Sequence, residues 1–426
     1  MTLLMLLVMV ALLLAGFPMM MPLIAATVLA FVFYLPDLSL QVTIQQMIGG
    51  VKPAALIAVP MFILAADIIT RGHSADRLVD VVMRFMGHIR GGLAMSVTSA
   101  CALFGAVCGS TQATVVAVGG AMRPRMLKAG YHDSFGIALI INAADLAYLI
   151  PPSIGMIIYG VISGTSISEL FIAGLGPAFL IIILFSGYCY YYAKKHNIPV
   201  EPKASWKERF TALRLAAWPM GFPFIVVGGI YGGIFSPTEA AAVCVLYALI
   251  LEALVFRSIK YKDVMDIALS TGAITSVVFI LIAAGAAFSW TLSYAQIPQQ
   301  IIAAIGLEGA GPLMTLLAIN IAFFVGCMFV DSIVVILILV PIFAPLVKVA
   351  GLDPVLVGVF ITLQVAIGAA TPPFGCNIFT AIAVFKRPFV DVIRGVSPFL
   401  IILFCIAVLL AFFPQLSLFL RDVAFR

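Results

Sequence analysis

Two Pro-Pro pairs, Pro151-Pro152 and Pro372-Pro373, sit in long apolar runs, and each follows a short polar stretch. Those stretches are Cys108-Gly109-Ser110-Thr111-Gln112 and Phe329-Val330-Asp331-Ser332. Proline removes a backbone donor and clashes with the preceding turn, so each pair is predicted to open its helix. An opened helix has two chemically distinct ends. C-terminal carbonyls, at Cys108-Gly109 and at Ile150, suit a small hard cation, whereas N-terminal amides near Thr111 and Ser153 suit a carboxylate. The surrounding donors are oxygen: Ser110, Thr111, Asp331, Ser332 and Thr371, with the backbone carbonyls of Ile150, Pro151 and Pro372. That set points to sodium. A proton relay has less support, because no His lies in an expected spanning segment. Asp331 is costly to bury in an apolar run and is functional by default. Gln112, Asp145, Pro152, Ser153, Pro373 and Asn377 are the residues expected to meet an anionic ligand. Asp145, beside Asn142, reads equally well as structural. Glu239 in SPTEAAAV reads better as a helix-start acid, and Arg71, Arg77, Arg84 and Arg90 as headgroup and topology contacts.

The elements that must hold these residues are membrane helices. Of the 426 residues 64% are hydrophobic and 10% charged, against about 25% charged in a soluble domain. Stretches long enough for the roughly 20-residue span of a bilayer recur throughout, among them 21–35, 215–235 and 395–413. The ten-residue alternation of a membrane β-barrel is missing. The first run, 1–16, has no Lys or Arg ahead of it and is expected to be a first helix rather than a cleaved signal. Seven cysteines without a CxxC pair read as small buried hydrophobes. The net charge of +5 gathers in short segments and describes topology, not nucleic-acid binding.

The Pro-Pro pairs lie 221 residues apart (372 less 151), and the same offset superimposes other helix breakers: Gly105 on Gly326, Pro124 on Pro345, Gly130 on Gly351, Gly174 on Gly395 and Pro177 on Pro398. The chain is a duplication. Seven basic residues fall between Arg71 and Lys128, but one, Lys348, in the equivalent 292–349. Residues 129–193 have no Lys or Arg, while their counterpart has Lys386, Arg387 and Arg394. Basic loops stay in the cytoplasm, so the copies are inverted, as in many secondary transporters.

The expected fold is therefore an all-α polytopic membrane protein of two inverted-topology repeats with re-entrant hairpins and broken helices. The first repeat spans 1–193, with a cytoplasmic arm at 67–90, a hairpin at 92–122 and a broken helix at 132–162. A cytoplasmic linker, 194–214, follows. The second repeat spans 215–426, with an arm at 288–311 on the other side, a hairpin near 313–345 and a broken helix at 353–385. In this arrangement Arg421 and Arg426 fall outside, against the charge rule.

PMFILAADIITRG, GHIRGGLA, LIPPSIGMIIYG, GIFSPTEAAAV, GCMFVDSIVVILILVPIFAPL and ATPPFGCNIF together resemble the large membrane subunit of TRAP (tripartite ATP-independent periplasmic) transporters, over nearly the whole chain. The resemblance implies a sodium-driven elevator in the bacterial inner membrane, with sodium ions as coupling ions. It also implies a small four-helix membrane partner, expected as a separate chain because the first large-subunit helix begins at Met1, and a periplasmic substrate-binding protein. Carried over by position, Ser110 and Thr111 with the Pro151-Pro152 break look like one sodium site. Asp331 and Ser332 with Thr371-Pro372-Pro373 look like the other. Two departures stand out: Cys108 where a small hydroxyl residue is common, and Asp145-Leu146-Ala147-Tyr148 in place of a more Gly-rich approach to Pro151. The implied substrate is an organic carboxylate: a dicarboxylate, oxo acid, sugar acid or sialic acid. The alternatives are a stand-alone sodium/carboxylate symporter and an ion channel, which would need a continuous pore. No HExxH, GxSxG or GxxxxGK[ST] motif supports an enzyme.

Overall fold

Backbone polar groups in a bilayer must be satisfied internally, and the apolar runs accordingly become helices. The computed structural model describes residues 1–72, 74–304, 306–307 and 309–425. Among them, six helices are long and apolar enough to cross a membrane, or up to nine if each bent pair counts as one span.

The 221-residue offset recurs in the element boundaries. Helices Gly92–Cys108 and Thr111–Lys128 form the first hairpin, Pro312–Phe329 and Ser332–Val349 the second. Each hairpin is followed by a helix interrupted at a Pro-Pro pair. The first runs from Asp133 to Leu149 and resumes as Ile154–Ser163, and the second is Pro354–Ala369 followed by Cys376–Phe385. Both Pro-Pro bonds are cis. Packing obeys the same exchange: Ile154–Ser163 lies on Ser332–Val349, and Cys376–Phe385 on Thr111–Lys128.

Two polar contacts fix how the halves are oriented. The Asp133 carboxylate, at the start of the first broken helix, accepts from Arg123 Nε (2.7 Å) and from Arg387 Nε (2.8 Å), just past the end of the second. Conversely, Tyr159 near the end of the first donates to the Pro354 carbonyl (2.8 Å) at the start of the second. The start of each broken helix meets the end of the other, so the two run antiparallel. Arg123 and Arg387 come from different repeats yet share one carboxylate on one face, as the charge pattern predicts. On the opposite face Arg421 is held by Asp353 (2.5 Å) and Asp422 (2.7 Å), with Glu169 at 4.0 Å. Neighbouring acids match its charge, but the charge rule counts basic residues rather than net charge, so Arg421 stands as an exception to it. Arg426 lies outside the described residues.

Around these elements stand Thr2–Leu14, Met20–Tyr34, Gln41–Val51, Ala58–Arg71, Pro237–Leu249 and the 34-residue helix Tyr261–Tyr294. Tyr261–Tyr294 packs on Met20–Tyr34, Gln41–Val51 and Ala58–Arg71 on one side and on the second hairpin on the other. Residues 67–71 continue a spanning helix, and the strongly amphipathic segment is Ser74–Met86. Of the expected first arm, His73 lies outside the described residues. In the second, residues 288–294 complete the long helix and Ile297–Ala304 follows, while Ile305 and Glu308 are likewise undescribed. Glu239 closes a capping box with Ser236, whose backbone N–H and hydroxyl both donate to its carboxylate at 2.8 Å. It is a helix-start residue.

Candidate functional site

The two hairpin tips approach each other across a cavity of about 370 Å³. At the first tip Gly109 adopts φ +60°, and a Cβ there would lie 2.2 Å from the Pro152 carbonyl oxygen. The tip is thus seated directly on the first Pro-Pro break. Ser110 then caps the return helix, its Oγ accepting from the Ala113 amide at 3.4 Å. Pro152 O at this junction and Ser110 Oγ on the tip are hard oxygen donors that suit a small cation, while Ser110 O is taken up by the helix, accepting from the Thr114 amide at 3.1 Å. The Ser110 carbonyl also accepts from Thr114 Oγ1 at 2.8 Å. Cys108, where a hydroxyl was anticipated, turns its thiol to the Ser110 carbonyl at 3.4 Å and sits beside Thr114 Oγ1.

At the second tip Asp331 caps Ser332–Val349, with Oδ1 accepting from the Ile333 amide at 3.0 Å. Its carboxylate faces the open cavity and is not buried. Thr371 donates to the Ile367 carbonyl at 2.6 Å, while its own carbonyl accepts from the Gly375 amide at 3.1 Å. A Cβ at Gly375 would meet the Ala369 and Thr371 carbonyl oxygens at 2.5 and 2.8 Å. Carbonyl oxygens therefore crowd the second break as they do the first.

Three helix N-termini open on the cavity, at Thr111–Lys128, Ile154–Ser163 and Ser332–Val349. The first two favour a carboxylate, whereas the third is already capped by Asp331. Two carboxylates, Asp67 and Asp331, and the Tyr148 ring line the same space, Asp331 from the N-terminus of Ser332–Val349 itself. Asp67 comes from Ala58–Arg71 in the surrounding helices and is steadied by Thr271, whose Oγ1 donates to its Oδ2 at 2.7 Å. Tyr148 reaches Ser332 Oγ at 3.4 Å, linking the first broken helix to the second hairpin. Ile63, Ala66, Ile274 and Val278 complete an apolar wall, and among the described residues no Lys, Arg or His lines the space.

Ser110, Thr111, Gln112, Asp331 and Ser332 line this cavity; Asp145, Pro152, Ser153, Pro373 and Asn377 do not. Ser153 is fully buried and caps Ile154–Ser163 through the Met156 amide at 3.3 Å. Asp145 and Asn377 lie behind the cavity in a buried chain that starts from it. Thr111 Oγ1 donates to Asn377 Oδ1, and Asn377 Nδ2 donates to Asp145 Oδ1, both at 2.8 Å. Ile150, Pro151 and Pro372 shape the breaks without reaching the cavity wall. Sequence reasoning missed Asp67 and the apolar wall. The one available signal was an acid inside an apolar stretch, MFILAADII, the criterion that singled out Asp331.

Antiparallel broken helices, with paired hairpin tips around a polar chamber at the break, define a multi-pass membrane transporter. The family profile described as "Tripartite ATP-independent periplasmic transporter, DctM component" matches residues 6–416, and the chain belongs to that family as a large permease subunit. It is 66% identical over 420 residues to the ectoine/5-hydroxyectoine TRAP transporter large permease protein of Ruegeria pomeroyi, covering 98% of each chain. Against the ectoine TRAP transporter large permease protein of Halomonas elongata it is 64% identical over 427 residues, covering 100% of each. The sialic acid TRAP transporter large permease protein of Vibrio cholerae is 35% identical over 412 residues, covering 97% of this chain and 96% of its own. The crystal structure of the Alcanivorax borkumensis YdaH transporter shares the fold, with a TM-score of 0.59, 17% identity, and coverage of 88% of this chain and 87% of that one.

Proposed function

We propose that this subunit imports ectoine or a closely related zwitterion, driven by sodium, by an elevator movement of the hairpins and broken helices against the surrounding helices. The observation that carries the substrate assignment is the charge layout of the cavity. The N-termini of Thr111–Lys128 and Ile154–Ser163 supply partial positive charge, Asp67, Asp331 and the Tyr148 ring offer a face for a cation, and no basic side chain lines the space among the described residues. Ectoine is a cyclic amidine bearing one carboxylate. Its anionic end would rest on the amides of Gln112 and Ile154, and its delocalised cation would face Asp67, Asp331 and the Tyr148 ring. A dicarboxylate would bring a second anion against two acids. The 64% and 66% identical relatives named for ectoine transport support the same choice.

Sodium ions would be held at the two tip-break junctions, by Gly109, Ser110 and the Pro151-Pro152 segment in one half and by Asp331, Ser332 and the Thr371-Pro372 segment in the other. Each ion would offset oxygen dipoles that otherwise repel, and so order the tips that shape the anion end. The partners are the remaining two components of a tripartite system: a small membrane subunit, and a periplasmic binding protein that delivers the ligand. The two halves, 1–193 and 215–426 about the linker 194–214, would each supply one hairpin and one broken helix to the moving body.

The test is uptake into proteoliposomes holding this chain and its small partner. Ectoine, a C4-dicarboxylate and sialic acid are offered with and without binding protein and an inward sodium gradient. Saturable ectoine uptake that needs both supports the reading. Preference for the dicarboxylate overturns the substrate assignment, and sodium-independent uptake overturns the coupling.

A further inference from the structure

Behind the cavity, the first broken helix carries two acceptor oxygens for which the protein supplies no donor. Asn142 and Asp145 stand three residues apart, on one face of the helix, and are 0% and 1% exposed. Asn142 Nδ2 donates to the Ala138 carbonyl at 2.8 Å, which fixes the amide and leaves its Oδ1 without a partner. Asp145 Oδ1 accepts from Asn377, and its Oδ2 has no partner. Among the described residues no Lys, Arg or His pairs with Asp145. A buried carboxylate without a counter-charge is strongly disfavoured, so a neutralising species belongs beside it.

We propose that Asp145 Oδ2 and Asn142 Oδ1 bind a further coupling sodium ion inside the moving body, distinct from those at the two hairpin tips. The donor set is hard oxygen carrying one net negative charge, which suits a monovalent cation. Among the described residues no group of three His, Cys, Asp or Glu side chains is assembled for a divalent or transition metal. The Asn377 amide donates to Oδ1 whether Oδ2 is ionised or protonated, so sodium and a proton are separated by the sodium activation and charge measured below.

The site also has a route to the substrate. Asn377 belongs to the second repeat and joins Asp145 of the first broken helix to Thr111 at the first hairpin tip. A cation drawn onto Asp145 reorients the carboxylate, Asn377 follows it, and Thr111 at the first hairpin tip moves with Asn377. Occupancy behind the site thereby sets the geometry at its anion end. The inference rests on the sodium-coupled reading above.

The experiment compares wild type, Asp145→Asn and Asn142→Leu in reconstituted uptake, reading the sodium activation curve and the charge moved per substrate. Thermal unfolding of each purified protein checks that it is folded. Asp145→Asn is expected to give slower but saturable uptake that needs one sodium fewer, with a shallower activation curve and one charge fewer moved. Asn142→Leu keeps the carboxylate and loses one oxygen ligand, so half-activation should need roughly tenfold more sodium. It also carries the test if Asp145→Asn does not fold. Unchanged sodium activation and charge in the folded variants overturns the site while leaving tip-site coupling intact. Loss of pH dependence with sodium activation unchanged overturns it in favour of a proton. A wild type indifferent to sodium overturns the coupling reading and this site together.

Discussion

Gly109 and Asp67 show how single residues set the site, one by lacking a side chain and one by its charge. Gly109 combines φ +60° with a Pro152 carbonyl oxygen 2.2 Å from where a Cβ would stand. The left-handed conformation alone costs an L-residue about 1–2 kcal/mol, and the clash adds to that because both partners are backbone. Gly109→Ala is therefore expected to abolish sodium-dependent uptake. Gly130 is the control: its φ is +91°, but no atom lies within 4 Å of its Cβ position. Gly130→Ala should fold slightly less stably and still transport, as thermal unfolding and uptake measured side by side would show. Asp67→Asn keeps the Thr271 contact and removes only charge. A hydrogen bond to a charged group is worth about 1.5–3 kcal/mol, so the KM for ectoine should rise roughly ten- to a hundredfold, with little change in sodium activation. An unchanged KM would remove Asp67 from the substrate's cationic end.

At the scale of elements, the hairpin tips and Pro-Pro breaks were legible in the sequence because proline and glycine act locally. Where the chain breaks depends on its own backbone, and a 221-residue offset between breakers survives divergence of the side chains. What each break faces was not legible. Asp145 and Asn377 carry the right chemistry for a substrate site, yet packing between repeats turns them behind it, and no local signal encodes that rotation. Asp67 was missed for the complementary reason: its role comes from Thr271, 204 residues away. The same long-range pairing makes Asp133 a joint between repeats, bound by Nε and Nη2 of Arg123 at 2.7 and 2.8 Å and by Arg387 at 2.8 Å. Asp133→Asn leaves two guanidinium groups without their shared acid. Exposed pairs contribute about 0–1 kcal/mol, but this one is partly shielded, with Arg123 at 16% exposure and a bidentate contact. A loss near 1 kcal/mol in unfolding, mostly reproduced by Arg123→Gln and not added to in the double variant, would mark the joint as a unit.

For the whole molecule the central question is whether the hairpins and broken helices move as one body. The surrounding helices meet that body along Tyr261–Tyr294, where Gly285 lies against Leu337 of the second hairpin. A Cβ at Gly285 would fall 2.9 Å from Leu337 Cβ, so the absence of a side chain lets the helices approach closely. A close, apolar contact without interlocking polar bonds is a surface that can slide, because dispersion contacts re-form one step along at little cost. The cavity spans the same boundary, with Asp67 on one side and both hairpin tips on the other, so under the proposed function sliding would separate a bound substrate from part of its wall and release it. Gly285→Cys with Leu337→Cys, in a background where the seven native cysteines are replaced, places two thiols across that boundary. Their Cβ separation is slightly under the usual disulfide range of about 3.5–4.5 Å, which a small outward shift of either helix would relieve. If the elevator reading holds, oxidation stops ectoine uptake while ligand protection against thermal unfolding survives, and reductant restores uptake. Undiminished turnover with the bond formed would mean that these elements never part, and transport would then have to proceed by local opening of the hairpin tips within a fixed frame.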